Sequence, residues 1–524
     1  MPLLRADLVS LSLAVMCDLT IIIFRMMLSQ IETRGGEIMH SATQICVTSD
    51  SEFYDYFATI TMLANNLRNA ALFRVRQVLT MVEKPFDNLT ANELEVYNEI
   101  ACALPLMGDR YKMPVKGKQF LNYYFLDALL KATKNPDYFA ERLPKQTTQQ
   151  VLKEVASDMK GFYAGIRALK KNPSVFTGKP KLPRYGTKGG YHTAIISNQD
   201  CVIYAVKDKP SCHEVKFPGI PKRMFISDMP MRGRLMQVTV KPNHGNFVLS
   251  FVFEDGKEKP VTKPPHRMAG IDLGVDNAAA ITNNLGLPCL LFKGGVMKSI
   301  NQLYNKKMAK MQSEQTKGTS KKFVMTKEAH QLCVWRNRRI DDVISKIGNR
   351  IIDWCCDNDI DTIIIGHNTR WKQNANMGKK NNQTFTQLPL YKLIENITYR
   401  AEWCGIRVIE REESYTSKAS FLDNDIIPTY GEAKEPKFSG RRIKRGLYKA
   451  ADGTIINADL NGSANILRKE FPDAFASHQP DFSSVVIIRH PDLESVKRNR
   501  KKQLAEPKGI SKSKAKRLKT KGKM

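Results

Sequence analysis

The sequence predicts an α/β domain in the C-terminal half of the chain, preceded by a β-rich domain that helices interrupt. Three observations predict this arrangement. Apolar strand-like runs alternate with helical stretches over residues 268–467, which is typical of α/β domains. Short alternating runs broken by Gly and Pro fill residues 191–253, and helical periodicity dominates residues 53–170. A chain of 524 residues is too long for one ordinary core, so two or three domains are expected.

The charge of the chain indicates a polyanionic partner. Lys and Arg number 82 against 52 Asp and Glu, which gives a formal net charge of +30. This excess destabilises a compact state by self-repulsion unless a polyanion offsets it. Nucleic acid does so with release of counterions. The alternative is a basic protein that is merely soluble.

The ten cysteines indicate a reduced intracellular protein, which we expect to be cytoplasmic and nucleoid-associated. They are scattered, and no Cys-x-x-Cys pair occurs. The adjacent pair Cys355 and Cys356 suits neither a disulfide framework nor a zinc knuckle.

The N-terminal residues raise the question of a membrane segment. Residues 8–28 are apolar, but Asp18 in their middle would cost roughly 2.5–3.5 kcal/mol in a bilayer. No small-x-small cleavage pattern follows. Met39 stands just before a strand-like run at residues 42–47. We therefore expect no membrane contact and predict that residues 1–38 are an extension from an upstream start or a disordered segment. A poorly packed helix is the alternative.

Residues 39–263 are predicted to form the β-rich domain, with a helical insertion at about 51–172. Phe57, Ile60 and Leu67 recur at helical spacing in the first part of the insertion. Helical stretches are predicted at residues 53–83, 118–132 and 149–170. Strands are predicted at residues 237–240 and 247–251.

A proline-rich basic segment joins these helices to the later strands. Residues 178–185 read Gly-Lys-Pro-Lys-Leu-Pro-Arg-Tyr, so the prolines hold the chain extended and place a ring beside positive charge. Such surfaces track single-stranded nucleic acid. We expect contacts from Lys179, Lys181, Arg184 and Tyr185, and the alternative is a basic loop that crosses between domains.

The predicted α/β domain covers residues 264–470. Its strands are predicted at residues 268–275, 278–281, 362–365 and 406–409, and its helices at residues 297–356, 388–404 and 460–467. Residues 471–524 are predicted to be a basic, disordered tail. Residues 497–523 contain thirteen Lys or Arg and one acid, which is too polar a composition to fold alone.

Two aspartates at strand ends are the first candidates for chemistry. Asp272 lies within an apolar strand, where an ionised side chain needs a partner or a metal. Asp459 follows a predicted strand or loop, with Asn461 available to cap the next helix. Two-metal nucleases need carboxylates from separate strands that converge on ions about 3.5–4 Å apart. Either aspartate taken alone is also compatible with an ordinary surface residue.

The two motifs together resemble the TnpB family, the mobile-element relatives of Fanzor proteins and type V CRISPR effectors. The segments Gly270-Ile-Asp-Leu-Gly-Val-Asp-Asn277 and Asn457-Ala-Asp-Leu-Asn-Gly-Ser-Ala-Asn-Ile466 resemble its first and third RuvC motifs. The segment Glu413-Ser-Tyr-Thr-Ser-Lys418 resembles the Tyr-Thr-Ser segment that precedes the zinc ribbon in TnpB proteins. The resemblance covers roughly residues 40–470. It implies an RNase H-like (RuvC) nuclease domain and a β-barrel-like wedge domain with an inserted helical recognition region.

The second acid of the family departs from its usual place. It ordinarily ends a strand that here ends in Gly366. Some lineages carry a relocated acid just before Tyr-Thr-Ser, so the resemblance assigns this role to Glu413, with Glu412 as the alternative. It thereby implies that Asp272, Glu413 and Asp459 hold two Mg²⁺ or Mn²⁺ ions, for which hard oxygen ligands are suited. A pair of solvated acids at a loop start is the other interpretation.

No zinc is expected, because the degenerate ribbon insertion at about 416–455 contains no cysteine. Residues 438–448 instead indicate nucleic-acid contact or a basic hairpin. Its candidate contacts are Arg441, Arg442, Lys444 and Arg445. Further basic candidates for phosphate contact are Arg336, Arg339, Arg370, Lys372, Lys379 and Lys380.

The resemblance implies an RNA-guided, metal-dependent DNA endonuclease of a mobile element, with guide RNA and target DNA as partners. Proteins of this kind are often called transposases. A nuclease-dead, RNA-guided DNA-binding repressor is the alternative, because Gly366 replaces an acid. A transposase that joins strands is a third interpretation. The sequence predicts no oligomeric state.

Overall fold

The computed structural model describes residues 38–490, apart from 177, 228, 230–232, 319, 321, 369–382, 384–385 and 430–435. Contacts divide the chain into two compact units, Met1–Glu258 and Lys259–Met524. The division falls slightly before the predicted boundary at residue 263. None of the helices in the described part of the chain combines the length and apolar character that crossing a membrane requires.

The first unit combines antiparallel sheets with α-helices in its described residues. Its strands are β1 (Ile38–Val47), β2 (Ala194–Ser197), β3 (Val202–Val206), β4 (Lys209–Lys216), β5 (Arg223–Ile226), β6 (Arg234–Asn243) and β7 (Asn246–Glu258). Its α-helices are α1 (Tyr54–Met81), α2 (Ala91–Met107), α3 (Tyr123–Ala132) and α4 (Lys145–Lys171).

The helices of this unit are inserted between β1 and β2. Strands β1, β7, β6 and β2 form a four-stranded sheet in that order, and β3, β4 and β5 form a second sheet. The spacing predicted for α1 is observed, because Phe57, Ile60 and Leu67 are all buried in the core. Helix α2 falls between the predicted helices. The described strands lie in two separately hydrogen-bonded sheets, and the barrel-like layout stays a prediction.

The second unit is α/β. Its strands are β8 (Met268–Asp272), β9 (Asn277–Asn283), β10 (Pro288–Lys293), β11 (Thr362–Gly366), β12 (Arg407–Arg411), β13 (Arg441–Lys444), β14 (Leu447–Lys449), β15 (Ile455–Asn457) and β16 (Asp481–Ile488). Its α-helices in the described residues are α5 (Gly295–Thr316), α6 (Lys327–Asp357), α7 (Leu390–Trp403) and α8 (Ala458–Glu470).

A six-stranded sheet organises this unit, with the strand order β12-β11-β8-β9-β10-β16. Strands β8, β11 and β12 are parallel, whereas β9 is antiparallel to both of its neighbours. The carboxyl ends of the three parallel strands therefore meet at one edge. In register, Ile271 faces Ile365 and Gly366 faces Arg411, so Asp272 and the residues that follow β11 and β12 come together.

Helices cover both faces of the sheet, which explains why β11 is a continuous apolar run. Ile363 and Ile365 pack in the cluster with α6 and α7, whereas Ile364 packs with α8 on the other face. Helix α8 lies very close to β8, because Ser463 Oγ donates a hydrogen bond to the Gly270 carbonyl at 2.7 Å. A side chain at Gly270 would collide with the Ser463 carbonyl. Close packing thus fixes α8 beside the end of β8.

Three expectations from the sequence are wrong in this unit. The predicted helical tract at residues 297–356 is two helices, α5 and α6. Residues 471–490 are not a disordered tail, because β16 pairs with β10 and Phe475 is buried. Asn461 does not cap α8, since the cap is Asn457. Residues 1–37 and 491–524, which include the basic tail, lie outside the described residues.

Candidate active site

Asp272 is the last residue of β8 and lies at the edge where the parallel strands end. Its carboxylate is half-buried and receives no hydrogen bond from the described residues. Gly462 of α8 lies directly beside it, since an added Cβ there would be 2.8 Å from Asp272 Oδ2. Burial, together with the nearby carboxylates of Glu413 and Asp459, raises the pKa of Asp272 well above its usual value.

The two acids after β12 have different environments. Lys469 Nζ donates to Glu412 Oε2 at 2.5 Å, and this lysine side chain is only 4% exposed. Glu413 instead lies against β11, where its Oε2 would be 2.9 Å from a Cβ added at Gly366. The Asn368 side chain accepts a hydrogen bond from the Glu413 backbone N–H at 3.0 Å. Ile466 and Glu413 therefore share the space that a side chain at residue 366 would otherwise occupy.

Asp459 lies in the first turn of α8. The Asn457 side chain caps this helix, because its Oδ1 accepts from the N–H groups of Asp459 and Leu460 at 2.9 and 3.2 Å. Asn277 Nδ2 donates to Asp459 Oδ2 at 2.6 Å. Arg442 of the β13–β14 hairpin donates to Asp459 Oδ1 at 2.9 Å. Both carboxylate oxygens are thus held by donors.

The pKa values of the two adjacent glutamates shift in opposite directions. Burial raises the pKa of Glu413 to about 7; Glu412 adds to the rise, while His367 and Lys469 oppose it. Burial alone would also raise the pKa of Glu412, but hydrogen bonds from Lys469 and Ser414 lower it below its usual value. Glu413 is thus the acid for which burial outweighs the compensation that His367 and Lys469 provide.

We expect the ion-free protein to lose stability as the pH rises from about 5 to 8. The folded-state pKa of Glu413 is about 7, against 4.5 for the unaffected group, so the folded state binds more protons in this range. The ionised carboxylate then costs up to about 3 kcal/mol of unfolding free energy. Urea unfolding in EDTA at both pH values measures the loss. The variant Glu413→Gln should be less sensitive to pH, and an equal dependence in both proteins would contradict the assignment.

The arrangement brings three carboxylates from distant parts of the unit toward one edge of the sheet. Glu413 and Asp459 both act on the Asp272 carboxyl electrostatically. Within the described residues, however, no three Asp, Glu, His or Cys side chains already form an ion-binding group. The contact between Arg442 and Asp459 accounts for part of this, since it directs one Asp459 oxygen to the hairpin.

The structure places the predicted nucleic-acid contacts on several surfaces. Lys179, Lys181 and Arg184 are exposed, and Tyr185 is 43% exposed. This segment lies along α1, where Arg68 donates to the Arg184 carbonyl at 2.9 Å. Its role in binding nucleic acid stays a prediction.

The basic candidates of the second unit also differ from one another. Arg336 donates to Asn301 Oδ1 at 2.7 Å and to the Gln387 carbonyl, so its guanidinium is engaged inside the unit. Arg339 is exposed. The hairpin residues Arg441, Arg442, Lys444 and Arg445 are exposed as well, and Arg445 pairs with Asp276. Arg370, Lys372, Lys379 and Lys380 lie outside the described residues.

Three residues of the site are absent from the sequence-based predictions. Gly462 leaves room for Asp272, Lys469 holds Glu412, and Asn277 holds Asp459. A glycine inside a helix is unfavourable, so Gly462 carries a signal that its small size is needed. No local signal in the sequence connects Lys469 with Glu412.

Comparisons with known proteins give three matches in sequence. Residues 250–372 match the OrfB_IS605 family model, described as "Probable transposase". Residues 391–466 match "Cas12f1-like, TNB domain". The chain is 26% identical over 219 residues to "TnpB-like protein ORF457" of Acidianus two-tailed virus, which covers 41% of this chain and 44% of the relative. The alignment thus spans less than half of that relative. These matches confirm the resemblance to the TnpB family.

Solved structures give weaker likenesses. The complex of Cas12f1 with sgRNA and target DNA is 13% identical, with a TM-score of 0.29 over 82% of this chain and 100% of the other. CasPhi-2 (Cas12j) bound to crRNA and phosphorothioate-DNA is 9% identical, with a TM-score of 0.38 over 85% and 94% of the two chains. Scores in this range do not establish a shared fold.

Proposed function

We propose that this TnpB-like protein is an RNA-guided, metal-dependent DNA endonuclease of a mobile element. The electrostatic proximity of Glu413 and Asp459 to Asp272 at one sheet edge carries the proposal, because phosphodiester hydrolysis by bound ions requires carboxylates that can close around them. Gly462 leaves the space that the Asp272 carboxylate occupies, and Gly366 leaves space that Ile466 and the Glu413 carboxylate share. The three acids come from segments far apart in sequence, which favours a functional reason for their proximity.

The sheet supports this proposal. If β8 is counted as strand 1 and β12 as strand 5, these five strands lie in the order 5-4-1-2-3 across the sheet. Strand 2, which is β9, is antiparallel to the other four. This is the order of the RNase H-like fold that the TnpB resemblance implies. Fold alone does not establish activity, so the proposal depends on the carboxylates that the fold positions.

The donor set fits Mg²⁺ or Mn²⁺, because all three side chains supply hard oxygen ligands. Asp272 receives no hydrogen bond from the described residues, and Arg442 offsets only part of the repulsion from Glu413 and Asp459. A divalent cation would offset this repulsion. We infer that Asp272, Glu413 and Asp459 together would hold two ions, with Asp459 exchanging its contact with Arg442.

The protein residues around the site would have distinct tasks in cleavage. Bound ions would activate water and stabilise the leaving oxygen of a phosphodiester. Asn277 fixes one oxygen of Asp459, and Lys469 keeps Glu412 away from the site. Arg442, released from Asp459, would offer its guanidinium to a phosphate oxygen.

Guide RNA and target DNA are the proposed partners. The net charge of +30 and the exposed basic hairpin support a polyanion. Base pairing with a guide would supply the sequence specificity, while the protein would contact the backbone. The reason for proposing an RNA guide is the resemblance to TnpB, not the composition of the chain.

The test uses ribonucleoprotein purified from cells that express the full chain together with the DNA that flanks its gene, and the co-purified RNA is sequenced to design the matched DNA. Matched and mismatched DNA are incubated with Mg²⁺ or with EDTA. Cleavage of matched DNA that requires both the guide and Mg²⁺ is the expected result. Guide-dependent binding without cleavage would overturn the proposal in favour of a repressor. Gly366 and the contact between Arg442 and Asp459 are the observations that favour that second candidate.

We expect Gly462→Ala to reduce cleavage while the protein remains folded. The added Cβ would be 2.8 Å from Asp272 Oδ2, so the carboxylate must move from the place where it would bind an ion. The helix itself gains roughly 0.5–1 kcal/mol of propensity. Cleavage rate and thermal unfolding in EDTA are measured together. Gly161→Ala in α4, where a Cβ meets nothing within 4 Å, is the matched control, and equal activity of both variants would contradict the role of Gly462.

A further inference from the structure

The loop between α2 and α3 carries basic and aromatic side chains that the proposed catalytic site does not use. Its basic and aromatic members are Arg110, Tyr111, Lys112, Lys116, Lys118 and Phe120. Gly108 and Gly117 have φ angles of +91° and +85°, which shape the loop in conformations that other residues rarely adopt.

Two clefts share Phe120 in their lining. The first has a volume of about 320 Å³ and is lined by Arg110, Tyr111, Lys112, Phe120, Asn122, Tyr124 and Phe125. The second has a volume of about 330 Å³ and is lined by Gly117, Gln119, Phe120, Lys160, Tyr163 and Arg167. Pockets that bind small planar ligands begin at roughly this size. None of these lining residues is acidic.

Two of the aromatic rings that line the clefts are exposed. Phe120 is 42% exposed and Tyr124 is 65% exposed. Phe120 meets Tyr163 edge to face, with the ring centroids 5.8 Å apart, so this contact occupies one face of one of the two rings and leaves the other faces open. The Tyr163 hydroxyl is buried and has no hydrogen-bond partner in the described part of the chain. A polar ligand group that reached it would satisfy an otherwise unpaired atom.

We propose that these clefts bind two neighbouring unpaired bases of single-stranded nucleic acid, one base in each cleft. Exposed rings stack on bases of any sequence, and the surrounding cations contact the phosphates. Lys112 in the first cleft and Lys160 and Arg167 in the second supply this charge. A duplex fits less well, because its bases are already stacked and its backbone offers no planar group to the rings.

The site is independent of cleavage, so its test uses EDTA. The full chain is irradiated with single strands that contain 5-iodouracil, one of RNA and one of DNA, and the crosslinked residues are identified by mass spectrometry. Crosslinks at Phe120, Tyr124 or Tyr163 are expected with at least one strand, and that strand identifies the source of the bases. Crosslinks from both strands only at other positions would overturn the proposal.

Binding of the same oligonucleotides tests the stacking contact. At a salt concentration that suppresses non-specific binding, Phe120→Ala should weaken binding about five- to hundredfold. Phe120→Trp should retain binding, because it preserves the ring. Phe139→Ala is the matched control, since Phe139 is 55% exposed and lies outside both clefts. Equal binding by Phe120→Ala and the control would overturn the proposal. If the natural protein gives the expected crosslinks and binding but does not cleave DNA, only the endonuclease proposal is contradicted.

Discussion

Asp272→Asn should abolish DNA cleavage and at the same time stabilise the ion-free protein. The carboxylate would be an ion ligand whose loss removes several kcal/mol of transition-state stabilisation, so the rate should fall by roughly a thousandfold or more. In EDTA the same carboxylate is half-buried, and burial together with the repulsion from two nearby acids raises its pKa. Removing its charge relieves this repulsion. Each kcal/mol gained corresponds to an increase of about 2–4 °C in Tm for a domain of this size.

Thermal unfolding with and without Mg²⁺ separates these effects. Mg²⁺ should raise the Tm of the natural protein more than that of Asp272→Asn, because ligand binding stabilises the folded state. Asp276→Asn is the matched control. The pKa of Asp276 is lowered overall, because its contacts with Lys298 and Arg445 outweigh the effect of burial. That variant should keep cleaving and gain no stability. Cleavage by Asp272→Asn at the natural rate would refute the assignment of the site.

The parts of the fold that carry strong local patterns are predictable from the sequence. Strand β11 is a run of buried apolar residues, and helix α1 repeats apolar residues at helical spacing. Helix α2 is less visible, although its Thr90 and Glu93 form a capping box. Strand β16 pairs with β10, although most of the second unit's sequence separates the two strands. No local pattern predicts such a distant partner.

The candidate site is predictable only in part, for the same reason. Asp272 and Asp459 stand in motifs that can be read along the chain. Lys469, a residue of α8 that is distant in sequence, pairs with Glu412. This contact leaves Glu413 as the glutamate on the side of Asp272. Strand alternation does not decide between them, because β12 ends at Arg411 before either acid. The tertiary contact decides.

The adjacent glutamates provide the second large prediction, because they are matched in chemistry and differ in environment. Glu413→Gln should reduce cleavage by roughly a thousandfold, as expected when an ion ligand is lost. Glu412→Gln should keep most of the activity, because Glu413 remains in place. It should instead lower the free energy of unfolding by about 1–3 kcal/mol, since it removes the charge that pairs with a buried lysine. Glu412 is itself 36% exposed, which places the effect below that of a fully buried pair.

A third variant distinguishes loss of the ion pair from general damage. Glu412→Gln combined with Lys469→Met leaves no unpaired buried cation, so the double variant should be more stable than Glu412→Gln alone. Urea unfolding in EDTA measures the stability of the natural protein, the two single variants Glu412→Gln and Glu413→Gln, and the double variant. Cleavage of matched DNA measures their activity. If Glu412→Gln abolished cleavage while Glu413→Gln retained it, the roles of the two acids would be exchanged. The Lys469 contact would then have to break when ions bind, and Glu412 would turn toward Asp272.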